Sequence, residues 1–236
     1  MTSIRYEHSR FLWQNFTSLL LREIEAAPGK KICDIGGGAH PMLSCEDIAE
    51  LQLDYTVLDI SAQELEHLDP QYRTLVLDVS EQQMPLREEY DLVFSKMLAE
   101  HVPDGGQFHR NTYKMLKKGG IAVHFFPTLY NLPFVANKLI GEQYAKKLFD
   151  LIVPDKRKKQ DKFPAFYSMC RGPSKKYVRA FENMGFTVKS YIGLFGHRDY
   201  YQKLKPIQKL HDLKTACLLK HPNPLFTSYA FLVLEK

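Results

Sequence analysis

The sequence predicts an α/β fold built on a doubly wound, parallel sheet, and three observations carry that expectation. Short apolar runs alternate with segments of helical spacing, the rhythm of repeated strand–helix units. The runs are apolar enough to be covered on both faces, as parallel strands are. Three of them end in an acid (Asp34, Asp59 and Asp78) and a fourth in Ser95. Ligands of such sheets bind beyond the carboxyl ends of the strands. Four polar residues in corresponding places therefore mark one functional edge.

The elements follow in order. Phe11 to Ala26 has helical apolar spacing and stops before Pro28-Gly29, inside an amino-terminal helical region of residues 8–27. Lys31 to Asp34 is the first strand, and Gly36-Gly37-Gly38 the turn after it. Pro41 suits the first turn of a helix, where its missing N–H costs nothing, and that helix is expected to run to Leu51. Tyr55 to Asp59 is the second strand, Ala62 to Leu68 a short helix, Thr74 to Asp78 the third strand and Tyr90 to Ser95 the fourth. Phe108 to Lys117 is a helix closed by Lys117-Lys118-Gly119-Gly120, with bases in its last turn and glycine beyond. Ile121 to Phe126 is the fifth strand. Pro173-Ser174 starts a helix over Lys175 to Met184, Phe186 to Ile192 is the sixth strand and Thr227 to Leu234 the last. Residues 128–172 and 193–224 break the rhythm as two insertions, the first with a helix expected over Phe134 to Leu151. The whole is read as a single domain, 1–236, around a core of residues 30–127.

Composition narrows the function. A chain of 236 residues, 44% hydrophobic and 25% charged, suits one domain with a real core. No apolar run approaches a membrane span, and the amino-terminal residues lack a signal-peptide pattern. The four cysteines are scattered without Cys-x-x-Cys spacing, which argues against a zinc knuckle and fits the reducing cytoplasm. A net charge of +5 is too small to imply nucleic-acid binding. The basic residues do gather between Lys138 and Arg179; the run Lys156 to Lys159 is read first as a solvated loop.

The glycine turn alone is ambiguous. A dinucleotide fingerprint wants a third glycine where Pro41 stands, and a carboxylate such as Asp34 is a poor neighbour for a pyrophosphate. It suits a cationic ligand that presents amine and hydroxyl donors, as S-adenosylmethionine does. A plain tight turn is the competing reading.

Six motifs in order settle the direction: Cys33-Asp34-Ile35-Gly36-Gly37-Gly38, Val57-Leu58-Asp59-Ile60-Ser61, Leu77-Asp78-Val79, Tyr90-Asp91-Leu92-Val93-Phe94, Glu100-His101-Val102-Pro103-Asp104 and Met115-Leu116-Lys117-Lys118-Gly119-Gly120. Together they resemble the class I S-adenosylmethionine-dependent methyltransferases, in particular the small-molecule branch, closely over Lys31 to Phe126. The resemblance implies a Rossmann-like sheet, mostly parallel with an antiparallel last strand, plus lid insertions. It implies that Asp34, Gly36, Gly37 and Gly38 face the methionine part of the cofactor. It places Asp59 on the ribose hydroxyls with Ile60 beside it, and Asp78 on the adenine amino group with the Val79 N–H on the ring. Ser95, Lys96 and Met97 would border the sulfonium. His40 departs from the family, which has a small residue there; it either touches the cofactor or faces solvent.

Methyl transfer from a sulfonium needs mainly orientation, because the cofactor supplies the activation. A base helps where the acceptor is a hydroxyl. His101 is the candidate, against the reading that Glu100-His101 only packs. His124 inside the fifth strand is read as a core histidine. His197, Arg198, Asp199, Tyr200 and Tyr201 are expected near the acceptor, and Phe163, Phe166 and Tyr167 as stacking surfaces. Some relatives bind a divalent ion through two acids and a histidine; Lys96 to Ala99 contain no partner acid, so no metal is expected. The Asn/Asp-Pro-Pro-aromatic motif of nucleobase methylation is absent. The expectation is O-methylation of a small-molecule or glycan-type acceptor. The alternatives are a nicotinamide oxidoreductase and a non-catalytic nucleic-acid-binding or scaffolding protein.

Overall fold

A computed structural model describes residues 3–129, 164–196 and 205–236. Its centre is an eight-stranded sheet with the spatial order β1-β7-β8-β6-β5-β2-β3-β4. The strands are β1 (Ser3–His8), β2 (Lys31–Ile35), β3 (Asp54–Asp59), β4 (Arg73–Val76), β5 (Tyr90–Lys96), β6 (Leu116–Pro127), β7 (Thr187–Phe195) and β8 (Tyr229–Glu235). β8 runs antiparallel to both β6 and β7, and every other pairing is parallel. The expected antiparallel last strand is therefore present.

Helices cover both faces. On one side α1 (Ser9–Ala26), α2 (Cys45–Glu50) and α3 (Ala62–Leu65) lie over the sheet; Leu12, Phe16, Leu20 and Ile24 of α1 pack with Ile32, Val57, Phe94 and Phe125. On the other, α4 (Gly105–Met115) and α5 (Lys175–Glu182) bury Phe108, Met115 and Phe181 with Cys33, Val93, Ala122 and Tyr191. A further helix, α6 (Lys205–Lys220), packs against β1 and β7.

Four sequence expectations need correction. The expected helix over 8–27 is present as α1, capped at its start by His8, but a strand outside that expectation, β1, precedes it; Ile4 and Tyr6 alternating with Ser3, Arg5 and Glu7 have the period of a strand. Pro41 does not begin α2. Ser44 does, because its hydroxyl accepts the Asp47 N–H while the Asp47 carboxylate accepts the Ser44 N–H, a reciprocal cap that outcompetes the proline. α4 ends at Met115, and Lys117 to Gly120 belong to β6, whose register with β5 starts at Leu116. β4 is not covered on both faces: it is the sheet edge, with Val76 exposed. The expected helix over 134–151 lies outside the described residues, as does most of the first insertion.

Candidate cofactor site

The carboxyl ends of β2, β3, β4 and β5 meet on one edge, as the strand order requires. After β2 the chain turns sharply: Gly36 and Gly38 take left-handed φ values of 76° and 46°. Only glycine adopts these freely. The turn is also tight in space. A Cβ on Gly36 would stand 2.7 Å from the Leu98 side chain, and one on Gly37 2.7 Å from Val57 Cγ1. Gly38 faces the next strand, so that its Cβ would lie 3.4 Å from Asp59 Oδ2. Gly38 thus brings bare backbone beside Asp59.

Asp34 sits beneath this turn and is buried. Its Oδ2 accepts from the Met42 N–H at 2.9 Å and the Tyr55 hydroxyl at 2.7 Å. Burial pushes its carboxyl up to about 6, against the pull of those two donors; Asp59 adds to the rise and Lys96 opposes it. Asp34 therefore latches the loop after the glycines, and its charge reaches the edge as a field. Asp59 Oδ1 accepts the Ser61 N–H at 2.9 Å, and Asp78 Oδ1 accepts both the backbone and the hydroxyl of Ser80. Each acid is thereby oriented through one oxygen by a turn residue two positions on. Ile60, 66% exposed beside Asp59, is an uncovered apolar surface on the same edge. Val79 is buried and its carbonyl is held by Asn111 of α4.

The end of β5 divides. Ser95 is fully buried, with its hydroxyl 2.8 Å from His124 Nδ1. Its side chain is turned into the sheet face under α4, so it does not stand on the edge as expected; alternation along the strand sends it there. Lys96 points the other way, toward α1. Its Nζ lies 5.0 Å from the Phe16 ring and 5.9 Å from the Trp13 ring, and 3.6 Å from Met42 Sδ. Met97 follows in the left-handed region at φ 58°, a strained turn at the strand end.

Beyond it lies a short 3₁₀ turn, Ala99–His101. The Glu100 carbonyl accepts the N–H groups of Phe166 and Tyr167, which ties the end of the first insertion to this edge. The Glu100 side chain is buried, Oε2 has no partner among the described residues, and burial pushes the carboxyl up to about 8. His101 Nδ1 donates to the Pro164 carbonyl at 2.9 Å, and its Nε2 stands 3.7 Å from Glu100 Oε1. Tyr167 is buried in the core and offers no stacking surface, contrary to expectation, whereas Phe166 is exposed. His40 is exposed. His124 is a core histidine held down to about 3 by burial; one nitrogen meets Ser95 and the other has no partner among the described residues. Phe163 and His197 to Tyr201 lie outside the described residues. Sequence reasoning missed Tyr55 and the α1 aromatics Trp13 and Phe16. Tyr55 was legible as a same-face neighbour of Val57 and Asp59; the aromatics were not, because nothing local places α1 over β5.

A mostly parallel sheet with one antiparallel strand, helices on both faces and a glycine turn after β2 make up a Rossmann-like α/β fold. A family model for the methyltransferase domain matches residues 6–191, and the chain belongs to that family, the class I S-adenosylmethionine-dependent methyltransferases. It is 30% identical over 130 residues to a ubiquinone biosynthesis O-methyltransferase of Pseudomonas entomophila, a match covering 51% of this chain and 53% of that protein. The chain thus spans about half the length of that relative. Among solved structures it resembles an S-adenosylmethionine-dependent methyltransferase from Mesorhizobium loti, with a TM-score of 0.53 and 15% identity over 95% of this chain and 97% of that one. It also resembles a geranyl diphosphate C-methyltransferase from Streptomyces coelicolor, with a TM-score of 0.57 and 13% identity over 96% and 80%. At that identity the two structures speak for the fold.

Proposed function

We propose that the chain transfers a methyl group from S-adenosylmethionine to a hydroxyl of a small-molecule or glycan-type acceptor. The observation that carries the reading is the juxtaposition of Gly38 with Asp59 at the carboxyl edge. A glycine with no side chain opens space beside a carboxylate whose second oxygen is left for a diol. Asp78 stands at the end of the neighbouring strand for the adenine amino group, with the exposed Ile60 between them as an apolar wall. Asp34, Asp59 and Asp78 line this edge with carboxylates, which repel a pyrophosphate. That disfavours the nicotinamide reading.

When bound, the cofactor supplies an activated methyl on sulfur. The chain's own part is to hold the acceptor in line and receive its proton. His101 is suited to that role. With Nδ1 donating to Pro164, its neutral form keeps the lone pair on Nε2, the atom that takes a proton from an acceptor hydroxyl. Exposed Phe166, tied to this edge through the Glu100 carbonyl, and Trp13, beside Lys96, offer aromatic faces to the acceptor. The relatives named O-methyltransferases support oxygen as the methylated atom. A cytoplasmic setting agrees with four cysteines that are all free. Among the described residues no helix is long and apolar enough to cross a membrane.

Calorimetry tests the reading. The protein is expected to bind S-adenosylhomocysteine saturably and NAD not at all. Asp59→Ala is expected to weaken the homocysteine nucleoside about 10- to 100-fold, the worth of a charge-assisted hydrogen bond. Saturable binding of NAD alone would overturn the reading, and an unchanged affinity in the variant would remove Asp59 from the ribose.

A further inference from the structure

We infer that Lys96 binds the α-carboxylate at the amino-acid end of S-adenosylmethionine, and so does not border the sulfonium; the inference rests on the chain's use of that cofactor. Three observations support it. The first is position. In the pairing of β2 with β5, Asp34 stands opposite Phe94, so Lys96 lies two residues further toward the carboxyl edge, on the same sheet face as Phe94 and α1. Its ammonium is flanked by Met42, from the loop after the glycine turn, and by Trp13 and Phe16 in the first half of α1.

The second is what the ammonium lacks. Lysines bury their stems and keep the charged head in water. Here the head lies against two rings and a thioether. Among the described residues no carboxylate lies within ion-pairing distance of it. Burial lowers its basicity while Asp34 acts on it from further off. Ring faces attract a cation but do not accept its protons as an anion does. A half-desolvated cation held in this way is a prepared site for an anion.

The third is the ligand's own charge pattern. S-adenosylmethionine carries one anionic group, the α-carboxylate, beside an α-ammonium and a sulfonium. A lysine next to the sulfonium would oppose binding by like-charge repulsion, whereas next to the carboxylate it favours it. Asp34, on the same face and of opposite sign, supplies the field that suits the α-ammonium. Lys96 and Asp34 together mirror the zwitterion. Arg10 is a further cation near the start of α1, but it is exposed to solvent.

The test compares three probes by calorimetry: S-adenosylhomocysteine, its decarboxylated analogue and 5′-methylthioadenosine. The wild-type protein is expected to prefer S-adenosylhomocysteine to the decarboxylated analogue by about tenfold or more, the scale of a charge-assisted contact. Lys96→Met keeps the stem against Phe16 and is expected to abolish that preference, weakening S-adenosylhomocysteine about tenfold and leaving the decarboxylated analogue within about twofold. Lys96→Arg keeps the charge and is expected to retain most of the preference. Equal losses for both ligands in Lys96→Met, or no loss for either, would overturn the inference. So would loss of the preference in Arg10→Gln with Lys96 intact. If the wild-type protein bound none of the three probes, the cofactor reading itself would fall, a result distinct from the others.

Discussion

Ser95 and Lys96 are consecutive residues of β5, and they serve two different environments. Ser95 faces the side covered by α4 and α5, where the polar groups are buried and uncharged: His124 and His109 are both held neutral by burial, and Glu100 is held toward its protonated form. Lys96 faces the side covered by α1, where Asp34 is buried under the Tyr55 hydroxyl and the partly exposed ammonium stands nearer the edge. One residue of strand advance changes the face, and with it the dielectric surroundings and the role. The comparison teaches that position at a functional edge does not make a residue functional. Ser95 is sealed against His124 in the core, while its neighbour stands between α1 and the glycine loop.

The largest effect that would break this comparison belongs to Glu100. In the fold its carboxyl is held near 8, against about 4.3 when unfolded. The folded chain keeps a proton that the unfolded chain releases, so this contribution to stability is present at low pH and is lost as pH rises from about 4.3 to about 8. Glu100→Gln is expected to remove that slope. In urea denaturation followed from pH 5 to 8, the wild-type protein should lose a few kcal/mol relative to the variant. Parallel curves would show that Glu100 is charged in the fold and that this side is not the dry one.

Ser95→Ala comes next. It deprives His124 Nδ1 of its partner inside the core and is expected to cost about 1–3 kcal/mol of stability. Affinity for S-adenosylhomocysteine should stay within about twofold, the reverse of the pattern expected for Lys96→Met. A large loss of affinity with unchanged stability would place Ser95 on the ligand after all.

The smallest effect is that of Tyr55→Phe, which removes one of the two donors to Asp34 Oδ2. It is expected to cost about 1 kcal/mol. Because that donor lowers the Asp34 carboxyl, its loss should move the carboxyl further above 6 and shift upward the pH below which S-adenosylhomocysteine affinity falls. Titration calorimetry between pH 5 and 8 measures this. An unmoved profile would confine Asp34 to latching the loop.

The local chemistry of the chain carried a good deal. Asp34, Asp59 and Asp78 at three strand ends, with Gly36 to Gly38 after the first, were legible because strand period, turn chemistry and strand termini are written in neighbouring residues. So was the start of α5 at Ser174, whose hydroxyl accepts the Tyr177 N–H. Pro41 misled because a proline is merely permitted at a helix start, whereas Ser44 with Asp47 actively makes one. Only the alternation of Ile4 and Tyr6 with polar residues marks β1 locally; its partner, β7, lies more than 180 residues away in register, Ser3 opposite Ser190.

What only the tertiary structure decided is which face each residue meets and what waits there. The sequence by itself determined the order of elements from β2 to β6, the acids at the ends of β2 to β4 and the family, because these rest on spacing within a few residues. It did not determine that Ser95 would be sealed against His124, that Glu100 would be buried with an oxygen unpartnered, or that Lys96 would lie between α1 and the glycine loop. Those outcomes depend on contacts between segments distant along the chain, and their energies are set by burial, which no local pattern contains.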